Sequence, residues 1–383
     1  MERVAPNGVA GKGRASLSAA PRRTQDGFVR RYGVIIVWVI VIIVFSLLRP
    51  KTFPTASNFE TLLASQAPLG ILSLGLLIPL SAGDYDLSVA SVLTLSGMIV
   101  AILNVNHGMN VWLAALIAVV VGAAIGLLNG IICVGAGIDP FIVTLGMGTV
   151  VNGVTLWISN STPVSGISQP LINMVVVHRL GGLSLEFFYL LIAAAIVWYI
   201  FEYTPAGRRI LVVGRGREVA RLSGMRVKRI RILAFVAAGA VGALAGVVYV
   251  GTSGSADPTA GTTLLLPAFA AVFLGSTTIS PGRFNAWGTL VAVYFLTTGI
   301  SGLALLGVQT FVQQLFYGGA LVIAVLLSGI TRRNKRRKDA SQLPMEPQQL
   351  GDAGKAEGSG TPGQAVASQS PPAGGAVLGT GGE

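Results

Sequence analysis

Leu87–Ile138 reads LSVASVLTLSGMIVAILNVNHGMNVWLAALIAVVVGAAIGLLNGIICVGAGI, with no Asp, Glu, Lys or Arg anywhere in it. A single membrane-spanning helix needs roughly 20 apolar residues, so this interval holds more than one span. The rest of the chain agrees. Of 383 residues, 52% are hydrophobic and 11% charged, a balance that a water-solvated surface does not tolerate. The 50 glycines are unfavourable in isolated soluble helices but suit helices packing backbone to backbone in lipid. Gly122, Gly126 and Gly130 form overlapping small-xxx-small pairs, and Gly242 and Gly246 form another.

Apolar runs read against their breakers predict an all-α polytopic protein of about ten spans. These cover residues 33–48, 61–80, 87–104, 111–134, 140–158, 185–201, 231–250, 263–279, 284–302 and 305–328. Pro68, Pro79 and Pro267 predict bent, broken or re-entrant segments. An even number of spans puts both termini on one side, and the positive-inside rule tests it. Seven Lys/Arg precede residue 32, nine lie between Arg208 and Arg231, Arg283 stands alone, and seven run from Arg332 to Lys355, all on the predicted cytosolic side. Only Arg49, Lys51 and Arg179 fall outside. The net charge of +12 therefore reflects cytosolic bias and anionic head groups, and no nucleic-acid partner is expected.

Three regions follow: a disordered basic cytosolic arm over residues 1–31, a transmembrane domain over 32–330 with a cytosolic loop at 202–230, and a basic stop and Gly/Pro/Ser-rich disordered tail over 331–383. The first span has no small-residue cleavage site after it and reads as uncleaved. The lone Cys133 forms no intrachain disulfide. Two histidines, His107 and His178, give neither a histidine-rich metal site nor an HExxH helix. No G-x-x-x-x-G-K-[ST] loop is present, and Gly214-x-Gly216 lacks the third glycine of a dinucleotide loop. No catalytic residue, metal or cofactor is assigned to this chain.

Two features carry the chemistry. Asp84 and Asp86, in Ser81-Ala82-Gly83-Asp84-Tyr85-Asp86-Leu87-Ser88, lie beside a Pro-broken span, where a carboxylate is costly and marks function by default. The alternatives are that Asp86 caps the following helix and that Asp84 is an ordinary loop residue. The second feature is the basic interlude around Glu218-Val219-Ala220-Arg221-Leu222-Ser223-Gly224, long enough for a helix of about one and a half turns that Gly224 ends in a left-handed cap. It is either a merely solvated loop or a surface where a soluble partner acts.

Further stretches bear a resemblance. Asn58 through Gly75, Gly83 through Ser91, Asn129-Gly130, Pro140 through Gly146, Ala220 through Gly224, Pro258 through Gly261, Ala268 through Gly275, Gly282-Arg283, Gly288-Thr289 and Leu305 through Val308 resemble, in order, the ribose/xylose-type sugar permeases of ATP-binding cassette importers. The resemblance implies a multi-pass bacterial inner-membrane permease that is not itself an enzyme. It implies a second permease copy, an external or lipid-anchored solute-binding protein, and a separate ATPase subunit holding ATP and Mg. Glu218, Val219, Arg221, Leu222 and Gly224 would then couple to the ATPase. Asp84, Asp86, Ser88, Phe141, Thr144 and Asn152 would line the solute path, with Asn129 and Gln313 in reserve. The chain departs from the family at Ala90, where Gly is common, at Leu265-Leu266-Pro267, where an acidic pair is common, at Tyr85, and at Asp84, where Gly or Glu is common. The competing expectation is an ion-coupled secondary transporter in which Asp84 or Asp86 takes the ion; a membrane-embedded enzyme lacks a nucleophile–base or metal constellation.

Overall fold

Fourteen α-helices account for about three-quarters of residues 25–340, the part of the chain that the computed structural model describes; its side chains are described for 31–329. In order they are α1 (Gln25–Leu48), α2 (Ala56–Ser65), α3 (Ala67–Ser81), α4 (Val89–Ala101), α5 (Val111–Gly135), α6 (Pro140–Ile158), α7 (Gln169–Ile172), α8 (Leu185–Tyr203), α9 (Pro205–Arg215), α10 (Arg217–Leu222), α11 (Val227–Ser253), α12 (Ala260–Gly275), α13 (Ala286–Leu305) and α14 (Thr310–Ala340). Four two-residue strands form two antiparallel pairs, β1 (Val164–Ser165) with β4 (Ser255–Ala256) and β2 (Arg179–Leu180) with β3 (Leu183–Ser184).

Each of the ten expected spans is helical, and among the described residues nine helical stretches are long and apolar enough to cross a membrane. The tenth, α12, has 16 residues, and at about 1.5 Å per residue it falls short of a hydrocarbon core of about 30 Å. Its bounds also differ from the expected 263–279: the chain turns at Ser276, whose hydroxyl bonds back to the Phe273 carbonyl. The second span is divided at Gln66, because Pro68 opens α3 rather than continuing α2. Gly307, at φ +77°, separates α13 from α14 and moves the last span's start to Thr310. The expected arm over 1–31 is helical from Gln25, since no proline interrupts the lead into the apolar run. The tail expected beyond Ala340 lies outside the described residues.

α3 is apolar on every side and all fifteen of its residues are buried, which places it inside the bundle. α11 packs along α5, α3 and α4. A methyl group at Gly130 would lie 2.9 Å from Ile232 Cα, one at Gly126 would overlap the Phe235 carbonyl, and Gly122 and Gly239 face each other's carbonyls. Gly242 and Gly246 approach α4 at Val89 and Leu93 in the same manner. Both glycine series noted in the sequence thus form seams of direct backbone contact around α11.

The links between helices gather at two ends. At one end lie the α3–α4 turn, the α5–α6 link, α9, α10 and the α12–α13 link, where Arg283 pairs with Glu202. At the other lie both strand pairs and the Arg179–Glu60 ion pair. Large apolar side chains on α5 and α6, including Leu116, Ile142 and Trp157, are exposed, as expected for surfaces that meet lipid.

Candidate coupling site and solute path

Residues 82–88 form a tight turn between α3 and α4, entered through Gly83 at φ +82°, a conformation that favours glycine. The turn holds Asp84 completely buried. Burial of a carboxylate in its charged form is favoured by full hydrogen bonding and charge pairing, and both are present. Arg231 of α11 donates from Nε to Oδ2 at 2.8 Å and from Nη2 to Oδ1 at 2.7 Å, a bidentate fork. Arg217, the first residue of α10, donates from Nη2 to Oδ1 at 2.7 Å and to the Gly83 carbonyl at 2.8 Å. Gly214 of α9 lies against the same turn, and a methyl group there would overlap the Ser81 carbonyl oxygen.

Asp86, two residues on, is also buried but has no cationic partner. Its Oδ1 accepts from Ser88 N at 3.0 Å and Ser88 Oγ at 2.7 Å. The N-cap of α4 is Ser88, so Asp86 secures the turn before the helix rather than capping it as the sequence allowed. Desolvation raises its pKa to about 6, opposed by the bonds from Ser88 and from the Val89 amide. Ser88 Oγ accepts in turn from Asn129 Nδ2 of α5 at 2.7 Å. Asn129 Oδ1, also buried, accepts no hydrogen bond from the described residues. Thr144 of α6 closes the group: its Oγ1 accepts from Leu87 N at 3.0 Å and donates to the Pro140 carbonyl at 2.7 Å, with the Tyr85 carbonyl at 3.3 Å. Asp139 caps α6 by accepting from Phe141 N at 2.8 Å.

The structure thus brings together Asp84, Asp86, Ser88, Asn129 and Thr144 at one end of the bundle. Phe141 and Asn152 stand apart from that network. Phe141 is on the outward side of α6, and Asn152 is half-buried about three turns further along. Gln313 lies on α14, a separate part of the bundle.

The basic interlude folds as two helices joined at Gly216. α9 is amphipathic and is capped by Thr204 Oγ1, which accepts from Gly207 N. α10 covers Arg217–Leu222, one residue earlier than expected, because the extended Gly216 before it sets its start. Gly224 ends it at φ +77°, with Met225 N donating to the Ala220 carbonyl at 3.1 Å. Val219 and Leu222 are 67% and 78% exposed, so α10 presents two apolar side chains outward while Ala220 packs inward. Glu218 and Arg221 pair with each other at 2.5 Å.

Residues 58–325 match the family model described as the branched-chain amino acid transport system / permease component. The chain belongs to this family of permeases. The permease is 34% identical over 303 residues to a ribose import permease protein of Bacillus subtilis, covering 79% of this chain and 94% of that one. It is 32% identical to a D-allose transport system permease protein of Escherichia coli (78% and 91% covered) and 32% identical to an L-arabinose ABC transporter permease of Azospirillum brasilense (83% and 94% covered). No solved structure matches. These relatives favour the importer permease over the ion-coupled transporter. They also place the permease as a multi-pass protein of the bacterial inner membrane, with an ATPase and a solute-binding protein as general partners.

Reasoning from the sequence missed Arg217 and Arg231 as partners of Asp84. The available signal was an acid beside a Pro-broken span, at the predicted cytosolic end where arginines outnumber carboxylates. A second missed carboxylate, the buried Glu186 of α8, accepts from Thr252 Oγ1 at 2.5 Å near the opposite end.

Proposed function

We propose that this permease carries a monosaccharide inward, with α10 as the surface on which the ATPase pushes and the Asp84 ion-pair node as the joint that passes the push into the bundle. The end bearing α9 and α10 faces the cytosol, in keeping with its excess of Lys/Arg. The observation that carries the reading is the pairing of Arg217, on α10, with a carboxylate on the α3–α4 turn. A displacement of α10 therefore acts directly on the segment that also holds Asp86 and Ser88, and through them on Asn129 and Thr144. Val219 and Leu222 would enter a cleft on the ATPase, and Glu218 and Arg221 would flank it. A second copy of the permease completes the path, to which Phe141 offers a stacking face and Thr144 and Asn152 offer hydrogen bonds. Access then alternates between the two sides of the membrane as ATP is hydrolysed on the partner.

The test uses the permease co-purified with its ATPase and reconstituted in vesicles, with sugar uptake and ATP hydrolysis measured together. Val219→Asp combined with Leu222→Asp is expected to release the ATPase. Asp84→Asn is expected to retain it, leaving hydrolysis within about twofold while lowering uptake at least about tenfold, because the joint rather than the docking surface is lost. Solute movement by the permease alone, driven by an ion gradient, would overturn the reading.

A further inference from the structure

α9, the α10–α11 link and the first turns of α11 enclose a cavity of about 460 Å³, lined by Arg209, Met225, Arg226, Arg229, Ile230 and Leu233 among others. Three exposed arginines line it, and no acidic side chain does. The carboxylates at this end are committed elsewhere: Asp84 to Arg217 and Arg231, Glu218 to Arg221, Glu202 to Arg283, Asp86 to Ser88, and Asp139 to the α6 amides. Arg209, Arg226 and Arg229 form no ion pair among the described residues. Three exposed, unpaired cations around one concavity attract counter-charge from outside the fold. The rest of the lining is apolar, and Leu233, 65% exposed, already belongs to the membrane-spanning part of α11. The cavity therefore sits where head groups meet acyl chains.

We infer that this cavity binds the phosphodiester of an anionic phospholipid, with Arg209, Arg226 and Arg229 on the phosphate oxygens and Ile230 and Leu233 against the start of the acyl chains. Guanidinium forks match phosphate geometry, and basic pockets at the edge of a transmembrane bundle have the right chemistry for acidic lipids. A free phosphate satisfies the arginines but leaves Ile230 and Leu233 in water; a phospholipid satisfies both. The inference rests on the chain spanning a membrane; Gly224, which ends α10, is the one lining residue shared with the coupling surface, so the lipid and ATPase readouts are taken separately.

The experiment is native mass spectrometry of the full-length permease in detergent, titrated with phosphatidylglycerol and with phosphatidylcholine. The expected result is binding of phosphatidylglycerol at least about tenfold tighter than phosphatidylcholine. Arg209→Gln/Arg226→Gln/Arg229→Gln should abolish that preference. Arg208→Gln/Arg215→Gln/Lys228→Gln, three exposed cations outside the cavity lining, should leave it intact and controls for the loss of three charges. Millimolar inorganic phosphate should not compete. Equal affinity for the two lipids, a preference that survives the triple change, or displacement by inorganic phosphate each overturns the proposal. A triple variant that keeps the lipid preference but no longer captures the ATPase reassigns the arginines to the protein partner.

Discussion

Asp84 and Asp86 are two residues apart and both are buried, yet the fold accommodates their charge by opposite means. Asp84 receives three charge-assisted hydrogen bonds from two arginines, whereas Asp86 receives only neutral donors and its pKa rises to about 6. The sign of the linkage follows. A carboxyl whose pKa lies near 3.8 when exposed and about 6 in the fold binds its proton more tightly when folded, so its contribution to stability declines as pH rises through that window. A shift of about two units corresponds to about 3 kcal/mol. Asp86→Asn keeps the acceptor for Ser88 but removes the titration. Thermal unfolding in detergent should show the variant gaining on the wild type between pH 4 and 7; a difference that stays constant over that range refutes the assignment. The sequence offered a helix-start role for Asp86 but no partner for Asp84, because the arginines that hold it lie 133 and 147 positions away.

Among elements, the decisive contact is the seam between α5 and α11. Gly122, Gly126 and Gly130 were legible as a packing face from their four-residue spacing alone, since residues so spaced share one side of a helix. Their partner was not legible: the spacing says that something approaches closely, and only the fold says that it is the α11 backbone around Ile232, Phe235 and Gly239. Gly126→Ala places a methyl group against a carbonyl that belongs to a rigid helix and should destabilise by about 1–3 kcal/mol. Gly153→Ala of α6 meets open space and should be neutral or stabilising by up to about 1 kcal/mol through helix propensity. Thermal midpoints of the two variants in one detergent make the comparison, and equal midpoints would mean that the seam is not a tight contact. α10 shows the converse case, in which a local signal sufficed: a short run ended by Gly224 is a helix with a left-handed cap whatever surrounds it.

For the whole molecule, one bundle leaves the large apolar side chains of α5 and α6 exposed along most of their length, and the second copy proposed above would cover part of that surface. Light scattering of the permease in detergent, corrected for bound detergent and lipid, is expected to give the protein mass of two chains. A single-chain mass, with uptake intact, would place the solute path within one copy instead. The all-helical membrane class, the order of the apolar segments and the concentration of cations at one end follow from the sequence itself, because each depends on local hydropathy and charge measured against a slab of known thickness, whereas the shortness of α12 emerged only in the fold. The tertiary structure alone decided which arginines hold Asp84, why Asn129 meets Ser88, and that Arg209, Arg226 and Arg229 surround one cavity. Those arrangements depend on side chains from different helices meeting in space, and a hydropathy pattern sets where a helix crosses without setting which neighbour it faces.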